Sequence, residues 1–302
     1  MESWDERTWR TLAADYEDAM RPWFDGYRMR RSRREKHPVH DFLFEYYQTK
    51  RQRVERWHPP VDAVLEGVKA GEFSWVADFR ENVDGTGALS TDGLSVKVVE
   101  RLKWIHSLID AAMKRPPRFQ CFGLHEWAMV YRTDEIRHES TPLRLSMEAV
   151  AQVVESRTIC CTHWDAFRFF TEAARPLNTL NPAHEKRHEM EQFGCVHFNM
   201  DLYKWSYKAF PWVSSELLRK CFYLALEARE LDMRASPYDV TLFDLEPILI
   251  EGPEGRLQYQ EHQTEISRKG RILAQELQTE LGKILALVDS GPVANELAQA
   301  EN

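Results

Sequence analysis

The sequence predicts a mainly α fold: one compact helical domain over residues 1–290, with a small β-sheet expected in the middle third. Three observations carry that expectation. Apolar positions step by three and four along both ends of the chain, as one face of a helix requires. The composition is that of a globular protein, with 302 residues, 43% hydrophobic and 29% charged, enough to bury a substantial core. No repeat at a solenoid period and no low-complexity linker divides the chain.

The elements follow in order. Trp9, Leu12, Tyr16, Met20, Trp23 and Tyr27 form the inward stripe of a first helix, which Pro22 is expected to bend or divide. Val39, Phe42, Leu43, Tyr46, Tyr47, Val54 and Trp57 form a second stripe, ended by His58-Pro59-Pro60. Residues 82–93, "NVDGTGALSTDG", are turn formers and predict a surface loop. A third helix runs through Val98, Leu102, Ile105, Leu108, Ile109 and Ala112 to Pro116 and Pro117. Ser214 or Ser215 caps a fourth, with Leu217, Leu218, Cys221, Phe222, Ala225 and Ala228 facing inward. From Gly255 a long polar helix is expected to reach about Val288, and residues 291–302 read as a frayed tail. Between these, "TPLRL", "VVESRTICC" and "EPILIE" are the candidate short strands.

Charge and cysteine content narrow the function. A net charge of −8 argues against a strong, charge-driven nucleic-acid binder. The local exception is "RMRRSRREK", where Arg28, Arg30, Arg31, Arg33, Arg34 and Lys36 could touch phosphates, or simply solvate a helix end. Five cysteines without an apolar leader predict reduced thiols in a cytoplasmic setting. No stretch reaches the roughly 18 apolar residues that a membrane span needs.

Reactive side chains concentrate between Cys121 and Asp201, in the blocks "GLHEW", "IRHES", "CCTHWDAFRFF", "AHEKRHEM" (a loop, by its composition) and "GCVHFNMDLYKW". His125 and Glu126 open a His-Glu-x-x phrase whose second histidine position is Met129, so the zincin motif is incomplete. Two blocks echo each other: Cys161-Thr-His163 leads to Asp165, and Cys195-Val-His197 leads to Asn199 and Asp201. In extended chain, Cys161, His163, Cys195 and His197 could offer four ligands to zinc. Metal-free catalytic histidines and hydrogen-bonded core histidines are the competing readings.

Glu126, Asp165 and Asp201 sit among aromatics, and desolvation raises a carboxyl toward the range useful in acid–base chemistry. Pairing to Arg168, Arg175 or Lys204 would instead make them structural. Arg175 and Asn178 in a turn-rich segment could orient a polar ligand, and Arg234 and Asp239 are reserve candidates of the same kind.

At the blocks "EKHPVHDFLFEYY", "RWHPP", "CFGLHEWAMVYR", "CTHWDAFRFFTEAARPLNTL", "GCVHFNMDLYKWSYK" and "ELDMRASPYD" the chain resembles a bacterial family that carries the label 3-methyladenine DNA glycosylase. The resemblance covers most of the chain. It implies hydrolysis of an N-glycosidic bond to an alkylated purine, and in this sequence Trp127, Trp164 and Tyr203 would stack the base. Asp165 or Asp201 would then activate water. The expectation is therefore an enzyme whose pocket holds His125, Glu126, His163, Asp165, His197 and Asp201 as catalytic groups. Trp127, Trp164, Arg168, Arg175, Asn178, Asn199 and Tyr203 would bind substrate. A zinc- or iron-dependent enzyme on a small molecule and a non-catalytic helical binding module are the alternatives.

Overall fold

The computed structural model describes residues 2–134, 136 and 141–289, and it is mainly helical. The "IRHES" block and the expected tail at 291–302 lie largely or wholly outside the described residues.

A short strand, β1 (Glu2–Trp4), leads into α1 (Glu6–Arg33). Asp5 caps that helix by accepting from the Thr8 backbone N–H at 2.9 Å, and Arg30, Arg31 and Arg33 meet the negative end of its dipole. Trp9, Tyr16, Met20, Phe24 and Tyr27 are its buried stripe. Pro22 does not divide it: the proline sits on the exposed side and the helix runs through. The second apolar stripe is not one helix but two short ones, α2 (Phe42–Glu45) and α3 (Arg51–Glu55).

The small sheet lies in the first third rather than the middle. β2 (Ala63–Leu65) pairs parallel with β1, while β4 (Gly87–Leu89) runs antiparallel between β2 and β3 (Phe79–Glu81). The turn-rich 82–93 segment thus contributes a strand. Its Gly87 has no side chain because the Phe79 ring would lie 2.6 Å from a Cβ. The candidate strands of the middle third contribute only isolated bridges, Leu143 to Tyr238 and Ile159 to Asn178, and no described strand spans 246–251.

The helical body follows: α4 (Val96–Met113), α5 (Leu124–Ala128), α6 (Met147–Glu155), α7 (Trp164–Phe167), α8 (Arg187–Met190), α9 (Val196–Lys208), α10 (Ser215–Arg234) and α11 (Pro253–Asp289). Ser214 caps α10 as expected, accepting from the Leu217 N–H at 3.3 Å. Helix α10 packs against α9 and α11, and α11 also covers α4 and α9. The α9–α11 contact is close because Gly270 faces Asn199, where a Cβ would lie 1.8 Å from Oδ1. Gly194 similarly admits the Arg118 backbone, whose carbonyl would be 2.3 Å from a Cβ, just before α9 begins.

Candidate functional site

Five elements aim ionisable side chains at one interior region. Helix α5 supplies His125 and Glu126. Two left-handed residues in succession, Phe122 (φ 47°) and Gly123 (φ 73°), turn the chain into it. Phenylalanine is an uncommon occupant of that conformation, so the turn carries strain. His163 precedes α7 and Asp165 lies in its first turn. Helix α9 places His197, Asp201 and Lys204 at spacings of four and three, one face of a helix. Helix α10 places Arg229 and Asp232 three apart. Glu191 enters directly after α8.

The three histidines form a row. His197 is central, its ring 4.4 Å from that of His125 and 5.5 Å from that of His163, centroid to centroid. At one end His125 Nε2 meets Asp232 Oδ1 at 2.5 Å, and His197 Nε2 lies 3.8 Å from Asp232 Oδ2. His125 Nδ1 contacts Cys121 Sγ at 3.2 Å, while Arg229 donates to both Asp232 and Glu126 at 2.8 Å. At the other end His163 Nδ1 is 3.5 Å from Glu191 and Nε2 is 3.6 Å from Asp201. Lys204 Nζ bridges Asp165, at 3.0 Å, and Asp201; Arg187 donates to Asp165 at 2.5 Å. Tyr47 donates to Asp201 Oδ1 at 3.0 Å. Between the two ends lies a cavity of about 20 Å³, lined by Phe42, Tyr46, Met129 and Phe169 with Glu126, Asp165, His197 and Arg229. That volume suits roughly one water molecule.

Burial and charge set the protonation of the row. Burial alone would lower His125, but Asp232 and Cys121 outweigh it and hold the imidazole well above its usual value. Burial, then the neighbouring His125, pushes His197 down to about 3. His163 is likewise held well below its usual value by burial and by His197. Two neutral imidazoles therefore stand beside one imidazolium. Among the carboxylates, burial raises Asp201 against the opposing pull of Lys204. Burial raises Glu126 against Arg229. For Asp165 the order reverses: Lys204 and Arg187 outweigh burial and keep it firmly ionised. Among the described residues, several buried atoms find no hydrogen-bond partner: both ring nitrogens of His163, Nδ1 of His197, both oxygens of Glu191 and Oε2 of Glu126.

The six expected catalytic residues, His125, Glu126, His163, Asp165, His197 and Asp201, thus come together. The four-ligand set Cys161, His163, Cys195 and His197 does not. Among the described residues, the groups of three or more donors within 4.8 Å of one another are His125–His197–Asp232 and His163–Asp165–Asp201, without a cysteine. Helix α9 starts at Val196, so Cys195 and His197 are not on extended chain. Cys161 Sγ turns instead to the His163 carbonyl at 3.6 Å.

The expected substrate-binding residues divide. Trp127 is fully buried and donates to the Ala235 carbonyl at 2.9 Å, and Tyr203 is buried against Thr49 at 3.2 Å; neither ring faces open space. Trp164 is half-buried. Arg168 reaches Asp165 at 3.3 Å, whereas Arg175 is exposed and bonds the Arg168 carbonyl. Asn178 ties a turn through Cys161 and Leu180, and the Asn199 amide group binds the Phe193 and Cys195 carbonyls. Arg234 and Asp239 serve the backbone near their own turns. His184 is exposed, and His188 meets Ser107 and Trp104 away from the row; "AHEKRHEM" is helical turns rather than loop.

Asp232, Arg229, Glu191 and Arg187 are members that sequence reasoning passed over. For Asp232 a signal existed: it continues the Cys221, Ala225, Ala228 stripe, so a carboxylate falls on an apolar face. Glu191 and Arg187 carry no such signal.

No family model, curated protein or solved structure matches the chain.

Proposed function

We propose that this chain is a metal-dependent enzyme acting on a small molecule, its cation held by His125, His197 and Asp232. The observation that carries the reading is the meeting of two imidazoles and one carboxylate within 4.8 Å in a buried interior. Two histidines and a carboxylate form a donor set used by non-haem iron, and zinc accepts the same atoms. His197 is neutral, as a ligand must be. Cys121 and Arg229 brace His125 and Asp232 from behind, the supporting contacts that fix ligand orientation.

The second donor group, His163–Asp165–Asp201, is less suited, because the Lys204 ammonium already bonds both of its carboxylates.

A cation at the triad would supply Lewis acidity and a bound water that ionises near neutral pH. The protein residues do the rest. Glu126, with a free Oε2 and a raised carboxyl, lines the small cavity beside His197 and is placed to take or give a proton. Phe42, Tyr46, Met129 and Phe169 give the cavity its apolar wall. The glycosylase chemistry implied by the resemblance has less support, since two of the rings expected to stack the base, Trp127 and Tyr203, are fully buried.

Metal analysis of protein purified without a histidine tag tests the reading. The expected result is about one equivalent of iron or zinc, lost in Asp232→Asn and His197→Ala and kept in Asp201→Asn. Protein that stays metal-free after reconstitution with either ion overturns it.

A further inference from the structure

Outside the histidine row, one concave surface departs from the charge of the rest of the chain. Helix α1 and the residues of and beside α3 flank an open cleft of about 680 Å³, lined by Glu17, Arg21, Arg28, Lys50, Arg51, Gln52, Glu55 and Arg56. Five cations thus face two carboxylates in a protein whose net charge is −8. The carboxylates are spoken for: Glu55 binds Arg28, and Glu17 accepts the Trp57 N–H at 3.3 Å. Arg21 pairs outward with Asp18 at 2.7 Å. Among the described residues, Lys50, Arg51 and Arg56 have no carboxylate partner. Two of them are nevertheless held in place by rings: Arg56 lies 4.7 Å from the Trp75 centroid and Arg51 5.6 Å from that of Tyr27.

Unpaired guanidinium groups, fixed before any ligand arrives, suit an oxyanion with several charges, since arginine donates two parallel N–H groups to phosphate. The cleft volume matches a small organic ligand. A nucleic-acid duplex fits less well. The run Arg28–Lys36 places only Arg28 in the cleft, and Arg30 is turned to Asp41 at 2.6 Å. The chain's excess of negative charge also repels an extended polyanion.

We propose that this cleft binds a small molecule bearing two or more phosphoryl groups, with Lys50, Arg51 and Arg56 as its cationic contacts. The site stands apart from the metal centre and does not depend on it.

Calorimetric titration of the full chain with inorganic pyrophosphate tests the assignment. The expected result is saturable one-to-one binding that weakens roughly tenfold when salt is raised from about 0.05 to 0.25 M. Binding is expected to vanish in Arg51→Gln/Arg56→Gln and to persist in Arg33→Gln/Arg34→Gln, with unchanged circular dichroism in both. Absence of saturable binding overturns the proposal, as does a signal that survives Arg51→Gln/Arg56→Gln, which would mean chelation of metal instead. Equal affinity for sulfate, or a 20-base-pair duplex that outcompetes pyrophosphate, overturns the small-phosphate assignment.

Discussion

Glu191 is a carboxylate whose ionisation weakens the fold. It is fully buried behind His163, and its oxygens find no hydrogen-bond partner among the described residues. Arg187 stands 3.5 Å away, too far for a hydrogen bond, and offsets only part of the cost. Burial first, then the Asp201 charge, pushes the Glu191 carboxyl up to about 8. An unfolded glutamate ionises near ~4.3. The folded state therefore holds this proton while the unfolded chain has lost it, and stability falls as pH rises through that window. The slope is about 1.4 kcal/mol per pH unit where only the unfolded form is ionised. Between about pH 5.5 and 7.5 the loss is about 2.5 kcal/mol. Glu191→Gln keeps the shape and removes the titration. Urea unfolding of both proteins at those two pH values is the assay: wild type should lose about 2.5 kcal/mol more than the variant. Equal slopes, or a steeper one in the variant, would refute the reasoning and mean that Arg187 holds Glu191 ionised in the fold.

Three further outcomes follow from other contacts. Titrating metal-free protein with zinc or iron(II) at neutral pH should release about one proton per ion, read in a weakly buffered pH-stat, because the ligand His125 starts protonated; no release contradicts that protonation state. Gly270→Ala should cost about 1–3 kcal/mol by urea unfolding, through the clash with Asn199, and Asn199→Ala in the same chain should recover part of it. Pro22→Ala should raise stability by about 1–3 kcal/mol in the same assay, since an exposed mid-helix proline removes a backbone hydrogen bond.

Periodicity made the long helices legible. The stripes of α1, α4 and α10 bury most of the side chains that their spacing predicts, although Leu12 is exposed and Trp23 and Val98 are only partly buried, and Ser214 caps where a cap was expected. Shorter elements were not legible, because a strand of three residues such as Gly87–Leu89 carries no period and looks like the turns around it. The same holds for the break between α2 and α3, which packing decides rather than pattern. At the site, the histidine blocks announced themselves as polar residues in apolar company. Their partners did not: Arg229 and Glu191 look like ordinary helix-surface charges until α10 and α8 are docked. Nor could the sequence show that Lys204 would bridge Asp165 and Asp201, converting two candidate bases into a closed ion-pair group.

The row of three rings has a consequence for any probe of the centre. Adjacent imidazoles at 4.4 and 5.5 Å cannot all carry charge in a dry interior, so adding a proton to one makes its neighbour harder to protonate. An inflection seen at His163 will therefore report events at His125 and Asp232, two positions down the line. Whatever binds beside Asp232 will be felt by Tyr47 on the far side of His163 through that sequence of rings.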